Sequence, residues 1–514
     1  MTYKNKARRA GLAVGVLAVL ASVLPTAAAT ATTAAPASAA AVPSGWCPSV
    51  PGHEVDCGQE KRPLVAGKPQ LGAVKVSYAV VRHRAPGPAK GTVALNPGGP
   101  GETLIDKAKE VTWALEGLLK DHDVLLVDPR GTGKSERVPC GVTDAEYRFG
   151  TRAQQRAAVE RCGKNLGPKA AGFTSAATAD DIDAIRARLK VRKLSLYGLS
   201  YGTYLMPVYA SRHPESVRNI VLSGAYPLAL DTMARPSAQA VSLTLRRVCE
   251  RSVPVACDGE QTVRDLATTA ARLRAEPLTI PIATGHGVYK KKFTEDKLAN
   301  LLFEAASSGV GFEPDKPSLL GQLPHALNRF VKGDTAPLRE LVRAEGESGS
   351  ELDQAPYIAV VCNDYRRDWS KDASRSERWR QYRAALAAVR PGEHGAFSAK
   401  GFTEGTTDAG DVCIGWPGKD TPNPQPTKPK LPNVPVLVLS GDLDSNTPDA
   451  SGKKAAGQFR DSRFHSVRNM GHVPELELSR CVAGVSSRFI RANDPGDTSC
   501  LRSLPPIAVT PVRR

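Results

Sequence analysis

The chain has 514 residues, 41% hydrophobic and 24% charged, with a formal net charge of +17. That length holds one large domain with an insertion, or two to three smaller domains. Lys and Arg are scattered among Asp and Glu with no basic run carrying aromatics, so the charge reads as a solubilising surface and excludes a nucleic-acid interface.

The chain opens on Lys4, Lys6, Arg8 and Arg9, an apolar run from Gly11 to Leu24, and a small-residue tract containing Ala37-Ser38-Ala39. This is the pattern of a cleaved secretory signal, expected over residues 1–39. The run is too short for a membrane span and no later stretch is long and apolar enough. No cysteine lies beside it to take a lipid anchor, and the residues after Arg8-Arg9 match a twin-arginine leader poorly. Cleavage after Ala39 removes four positive charges and no acid, which leaves +13. The product is expected to be extracellular.

Ten cysteines in an exported chain imply disulfides. Short loops close at the least entropic cost, so neighbours are expected to pair: Cys47–Cys57, Cys140–Cys162, Cys249–Cys257, Cys362–Cys413 and Cys481–Cys500. No C-x-x-C or His/Cys cluster offers a zinc site, so neither metal nor cofactor is expected.

From Val42 to Gln70 the chain is rich in Pro and Gly and reads as a stapled N-terminal arm. Ala73 to Arg84 and Gly91 to Leu95 read as strands, the second running into Asn96-Pro97-Gly98-Gly99-Pro100-Gly101. Such a loop exposes backbone N–H groups without obstructing side chains, as an oxyanion hole requires. The buried strand Asp123–Val127 leads into Asp128-Pro129-Arg130-Gly131-Thr132-Gly133-Lys134-Ser135. Its close tempts a phosphate-loop reading, but that motif needs glycine where Asp128 stands. Ala179 to Leu189 reads as an amphipathic helix opening on acids.

Next comes Gly198-Leu199-Ser200-Tyr201-Gly202, which fits a nucleophile elbow. A strand, Leu194–Tyr197, turns sharply into an apolar helix from Tyr201 to Ala210 that must tolerate Pro207. Asn219 to Ser223 makes a further strand. This alternation argues for an α/β fold with a mostly parallel sheet flanked by helices. From Pro227 to Pro429 the rhythm gives way to helical patterns such as Asp296–Ala306 and Glu377–Val389, broken by Pro/Gly-rich loops. The expected organisation is a sheet-bearing body over residues 40–226 and 431–514, interrupted by a largely helical cap over 227–430.

The strand Asn433–Ser440 ends in Gly441-Asp442-Leu443-Asp444-Ser445-Asn446-Thr447-Pro448, and Arg463–Val467 leads to Asn469-Met470-Gly471-His472. Ser200, Asp444 and His472 thus follow the chain order of an α/β-hydrolase triad, each just past a strand. Asp442 and His465 are the rival acid and base. His472 would accept the serine proton, Asp444 would orient the imidazole, and the N–H groups of Tyr201 and Gly99 (Gly98 being the rival) would hold the oxyanion.

Asn96-Pro-Gly-Gly-Pro-Gly101, Asp128-Pro-Arg-Gly-Thr-Gly133, Gly198-Leu-Ser-Tyr-Gly202, Gly441-Asp-Leu-Asp444 with Thr447-Pro448, and Gly471-His472 together resemble the secreted tripeptidyl aminopeptidases. These belong to the prolyl-aminopeptidase-like α/β-hydrolases. Cys362-Asn363-Asp364 and Cys413 with Trp416-Pro417 also resemble that family. The chain departs from it after the Gly/Pro loop, where Glu102-Thr103 replace small residues. The resemblance implies a serine exopeptidase releasing short peptides, commonly tripeptides, from free N-termini of extracellular polypeptides. An exopeptidase must recognise the substrate ammonium, for which Asp364, beside a cysteine, and Glu102, beside the Gly/Pro loop, are the expected carboxylates. A secreted esterase or lipase would share the triad without an amine pocket.

Overall fold

The structure is a computed structural model describing residues 45–137, 140–285, 287–307, 309–313, 315–348, 354–419 and 421–513. The segment read as a leader lies outside them.

The strands are β1 (Val55–Pro63), β2 (Ala73–Val81), β3 (Thr92–Asn96), β4 (Asp123–Val127), β5 (Leu194–Leu199), β6 (Val217–Ser223), β7 (Leu278–Thr284), β8 (Gly287–Phe293), β9 (Val436–Gly441) and β10 (Ser462–Val467). Eight of them form one sheet in the order β1-β2-β4-β3-β5-β6-β9-β10. β2 runs antiparallel to β1 and β4, and the pairs from β4 to β10 are all parallel. The central strands are buried along nearly their whole length because both faces are covered. Alternate residues divide between two cores. Ala94, Leu125, Leu196 and Ile220 meet the helices Arg152–Leu166, Ser175–Arg188 and Gly202–Arg212 on one face. Val93, Leu126, Tyr197 and Val221 meet the helices Ala108–Ala114 and Cys481–Ala492 on the other.

Two stretches differ from the sequence reading. The expected N-terminal arm contains β1, whose faces alternate between half-buried and exposed residues. An edge strand needs no apolar run, since only one side of its ladder is paired. Within the segment between β6 and β9, β7 and β8 form an antiparallel hairpin amid the helices. Pro281 and the lysines Lys290–Lys292 mask its strand pattern.

The other regular elements of that segment are helices, and among the described residues it supplies no strand to the large sheet. The helices Arg235–Arg251, Gly259–Ala275, Glu295–Ser307 and Leu319–Val331 gather around Leu245, Leu266, Leu302 and Leu327 as a separate apolar core. Gln354–Asp364 instead lays Ile358 and Val361 against the core that covers the sheet. The five neighbour-paired disulfides are all present. Among the described residues no helix is long and apolar enough to cross a membrane.

Candidate active site

Ser200 sits between β5 and the helix Gly202–Arg212 with φ +51°, a left-handed conformation costly for a residue with a Cβ. It is held by its own N–H donating to the Ser223 carbonyl (3.0 Å) and by its carbonyl accepting from the Thr203 N–H (2.8 Å). The flanking glycines are needed for space. A Cβ on Gly198 would overlap the Gly202 carbonyl, and one on Gly202 would stand 2.5 Å from the Asn96 carbonyl oxygen. Crowding of strand end, turn and neighbouring loop is what lifts the hydroxyl clear of the sheet.

The Gly/Pro loop after β3 passes beside the serine. A Cβ on Gly98 would be 2.8 Å from that of Ser200, and Gly98 and Gly99 both have positive φ. The Gly98 N–H donates to Asn96 Oδ1 (3.2 Å). Among the described residues the N–H groups of Gly99 and Tyr201 donate to no protein acceptor, which favours Gly99 over Gly98 as an oxyanion donor. The Asp128 loop braces this arrangement. Asp128 accepts from the Leu104, Ile105 and Lys134 N–H groups at 2.6, 3.0 and 2.7 Å. Burial drives its carboxyl upward and those N–H groups resist. Arg130 is spent on a buried fork to Asp181 (2.7 and 2.8 Å). The stretch that imitates a phosphate loop is scaffolding.

Asp444 lies past β9 and His472 past β10. His472 Nδ1 donates to Asp444 Oδ2 at 2.8 Å, and both side chains are buried. Asp444 also accepts from the Asn446 and Thr447 N–H groups at 2.8 and 2.9 Å, and from the Thr447 hydroxyl at 2.6 Å. Burial pushes its carboxyl up, but the adjacent imidazole and these donors win and hold it below the usual range. Burial pushes His472 down, and Asp444, with Glu102 and Glu304 beyond, more than reverses this. His472 Nε2 has no hydrogen-bond partner among the described residues. The rivals are otherwise engaged: Asp442 accepts from Arg251 (2.7 Å) and the Asn469 N–H (2.7 Å), and His465 belongs to β10.

Ser200, Gly99 and His472 line one cavity of about 400 Å³. Glu102 lines it too, with Lys107 3.5 Å away. Asp364 does not. It is fully buried, accepts from the Ser175 N–H (2.5 Å) and Gln425 Nε2 (3.0 Å), and is pushed up to about 6 by burial. The expectation that it meets a substrate amine is thereby corrected: the residue caps the helix Ser175–Arg188. In its place the inserted segment brings Glu304 and Asp408 to the cavity wall. Burial and the neighbouring Glu345 push Glu304 up to about 7, against Arg148, Lys291 and His472. Neither residue carries a sequence signal, since Glu304 reads as the polar face of an amphipathic helix. Thr447 was visible only as an attendant of Asp444.

Fold and site define a serine hydrolase with the α/β-hydrolase fold. Residues 91–257 match the α/β hydrolase fold family and residues 400–500 the TAP-like proteins. A tripeptidyl aminopeptidase of Streptomyces coelicolor is 25% identical over 460 residues, covering 81% of this chain and 77% of that one. A serine protease of Mycobacterium tuberculosis is 26% identical over 446 residues, covering 79% of each. A carboxylesterase B of the same species is 27% identical over 427 residues, covering 76% of each. The chain is an enzyme related to the tripeptidyl aminopeptidases.

Proposed function

We propose that the chain is a secreted serine exopeptidase that releases short peptides, tripeptides foremost, from free N-termini. The observation that carries this is a buried Asp444–His472 pair whose outer imidazole nitrogen has no partner among the described residues, in one cavity with a strained serine and the carboxylates Glu102, Glu304 and Asp408. His472 Nε2 takes the proton of Ser200 Oγ as that oxygen bonds to the scissile carbonyl carbon. The carbonyl oxygen becomes an oxyanion facing the N–H groups of Gly99 and Tyr201. The oxyanion collapses, the C–N bond breaks, and His472 returns the proton to the leaving amine. Water, deprotonated by the same nitrogen, then cleaves the acyl-enzyme. Asp444 stays ionised and stabilises the imidazolium between these transfers.

The acids on the wall favour a substrate that brings a positive charge into a partly apolar cavity, as a peptide ammonium does. The body over residues 40–226 and 431–514 supplies the chemistry, and the cap over 227–430 closes the cleft around the amine. Residues 1–39 serve as the export leader, consistent with a chain carrying five disulfides. The esterase reading draws on the carboxylesterase relative and predicts indifference to the amine.

A tripeptidyl chromogenic substrate, free and N-acetylated, separates them. Acetylation is expected to lower kcat/KM by about tenfold or more, since an ion pair with a buried carboxylate is lost. Equal cleavage of the two would leave the serine hydrolase and remove the aminopeptidase.

A further inference from the structure

A second cavity, of about 650 Å³, opens between the end of the helix Gln354–Asp364 and the proline-rich segment 422–428. The family-like residues Cys362, Asn363, Cys413, Trp416 and Pro417 line this cavity and take no part in the catalytic one. Their contacts explain its shape. The Cys362–Cys413 disulfide joins two of its walls, and Trp416 Nε1 donates to Asn363 Oδ1 (2.8 Å). Gln425 fastens the proline-rich wall through its backbone and side-chain N–H groups to Asp364, each at 3.0 Å.

Its charge is one-sided. Arg366, Arg367, Lys371, Arg378 and Lys428 line it against one acid among the described residues, Asp372. The buried guanidinium of Arg378 donates only to backbone carbonyls, those of Ala373 (3.2 Å), Ile414 (3.0 Å), Trp416 (2.6 Å) and Lys371. Arg367 donates to the carbonyls of Asp408 (2.8 Å) and Val361 (2.6 Å) and to Cys413 Sγ (3.1 Å), and its Nε is buried without a partner. Lys371 alone meets a carboxylate, Asp372 at 3.0 Å. Arg366 and Lys428, both exposed, make no side-chain hydrogen bond or ion pair among the described residues. Asp408 acts electrostatically on Arg367 and Asp372 on Arg378, which leaves Arg366 and Lys428 as the lining cations with no ion pair among the described residues. An unpaired cation at the mouth of a cavity lined mostly by other cations attracts an anion more strongly than one isolated in water.

We propose that this cavity is a second binding site, distinct from the catalytic one, that takes an oxyanion-bearing ligand, a phosphate or a carboxylate. The charge floor is fixed by Arg378 and Lys371, and Arg366 and Lys428 at the mouth reach the ligand directly. Planar guanidinium forks suit both chemistries, so the source is decided by experiment.

The purified full chain is titrated calorimetrically at constant ionic strength with inorganic pyrophosphate, with citrate and with N-acetylated triglutamate. The same titrations are run on Arg366→Ala/Lys428→Ala, whose substitutions lie at exposed positions. Saturable binding of at least one of the three is expected, weakened about tenfold or more in the double variant as two charge-assisted contacts are lost. Cleavage of a short chromogenic substrate should be the same in both proteins. Preference for pyrophosphate assigns a phosphate ligand, and preference for citrate or the acidic peptide a carboxylate one. No saturable binding of any, or binding equal in the double variant, overturns the proposal.

Discussion

The sheet-bearing body and the segment inserted between β6 and β9 meet at one cavity but contribute different things to it. The body supplies Ser200, Asp444 and His472 from loops at the ends of β5, β9 and β10, each fixed by backbone hydrogen bonds to a neighbour. The insertion supplies Phe303, Glu304, Tyr365 and Asp408, side chains on helices and loops that form the wall. The difference teaches where chemistry and selectivity reside. In the proposed reading, the reacting groups stand on loops of the sheet-bearing body, and the groups that would choose the substrate stand on a layer packed over it.

That division can be broken most sharply at the nucleophile. Ser200→Ala is expected to lower kcat by about 10⁶ while leaving folding intact, read by turnover and by loss of labelling with a serine-directed phosphonate. Asp444→Asn removes the charge that holds the imidazole and its tautomer, and should cost about 10⁴ in kcat. Both losses should be the same for free and acetylated substrates, since neither residue belongs to the insertion.

The insertion answers first in stability. The Cys362–Cys413 bridge spans 51 residues, so Cys362→Ser/Cys413→Ser should lower unfolding free energy by about 4 kcal/mol in the chain-entropy account. Urea unfolding measures it. The Cys249–Cys257 bridge spans only 8, and its removal should cost less. A smaller effect falls on selectivity. Glu304→Gln should lower kcat/KM about tenfold on a free-amine tripeptide and little on its acetylated form.

The smallest effect is a shift in pH dependence. The proposed mechanism needs neutral His472, whose pKa is raised above the ordinary value of about 6.5. Activity should therefore fall as pH drops through a limb lying above that value. Glu304 helps to raise it, so Glu304→Gln should move the limb to lower pH. A limb that stays in place would detach Glu304 from the imidazole.

The same division governs how much of the molecule could be read from its sequence. The elbow, the Gly/Pro loop and the Asp and His loops are local: a strand pattern followed by turn residues announces each, because crowding and strain restrict which residues fit. β1 escaped because an edge strand with polar faces carries no apolar signature. The β7–β8 hairpin escaped because proline and three consecutive lysines outweigh its alternation. Glu304 and Asp408 were illegible for a different reason. Their place on the wall depends on how helices far apart in the chain pack, and nothing within a few residues of either encodes it. Asp364 shows the converse error. Its neighbour Cys362 forms the expected disulfide, but that carried no information about direction, and the carboxylate turns inward to the Ser175 N–H.

The strand order also sets the timing of synthesis. β6 pairs with β5 and with β9, yet β6 ends at Ser223 and β9 begins at Val436. At about 5–20 residues per second, roughly 10–40 s separate their emergence, during which the apolar edge of β6 has no partner. Parts of the inserted layer are supplied later still: its core includes Ile507, and the Thr510 N–H donates to the Gly321 carbonyl (3.0 Å). The inserted layer is therefore completed by residues that follow β10, so Ser200 is made long before the last parts of the wall facing it.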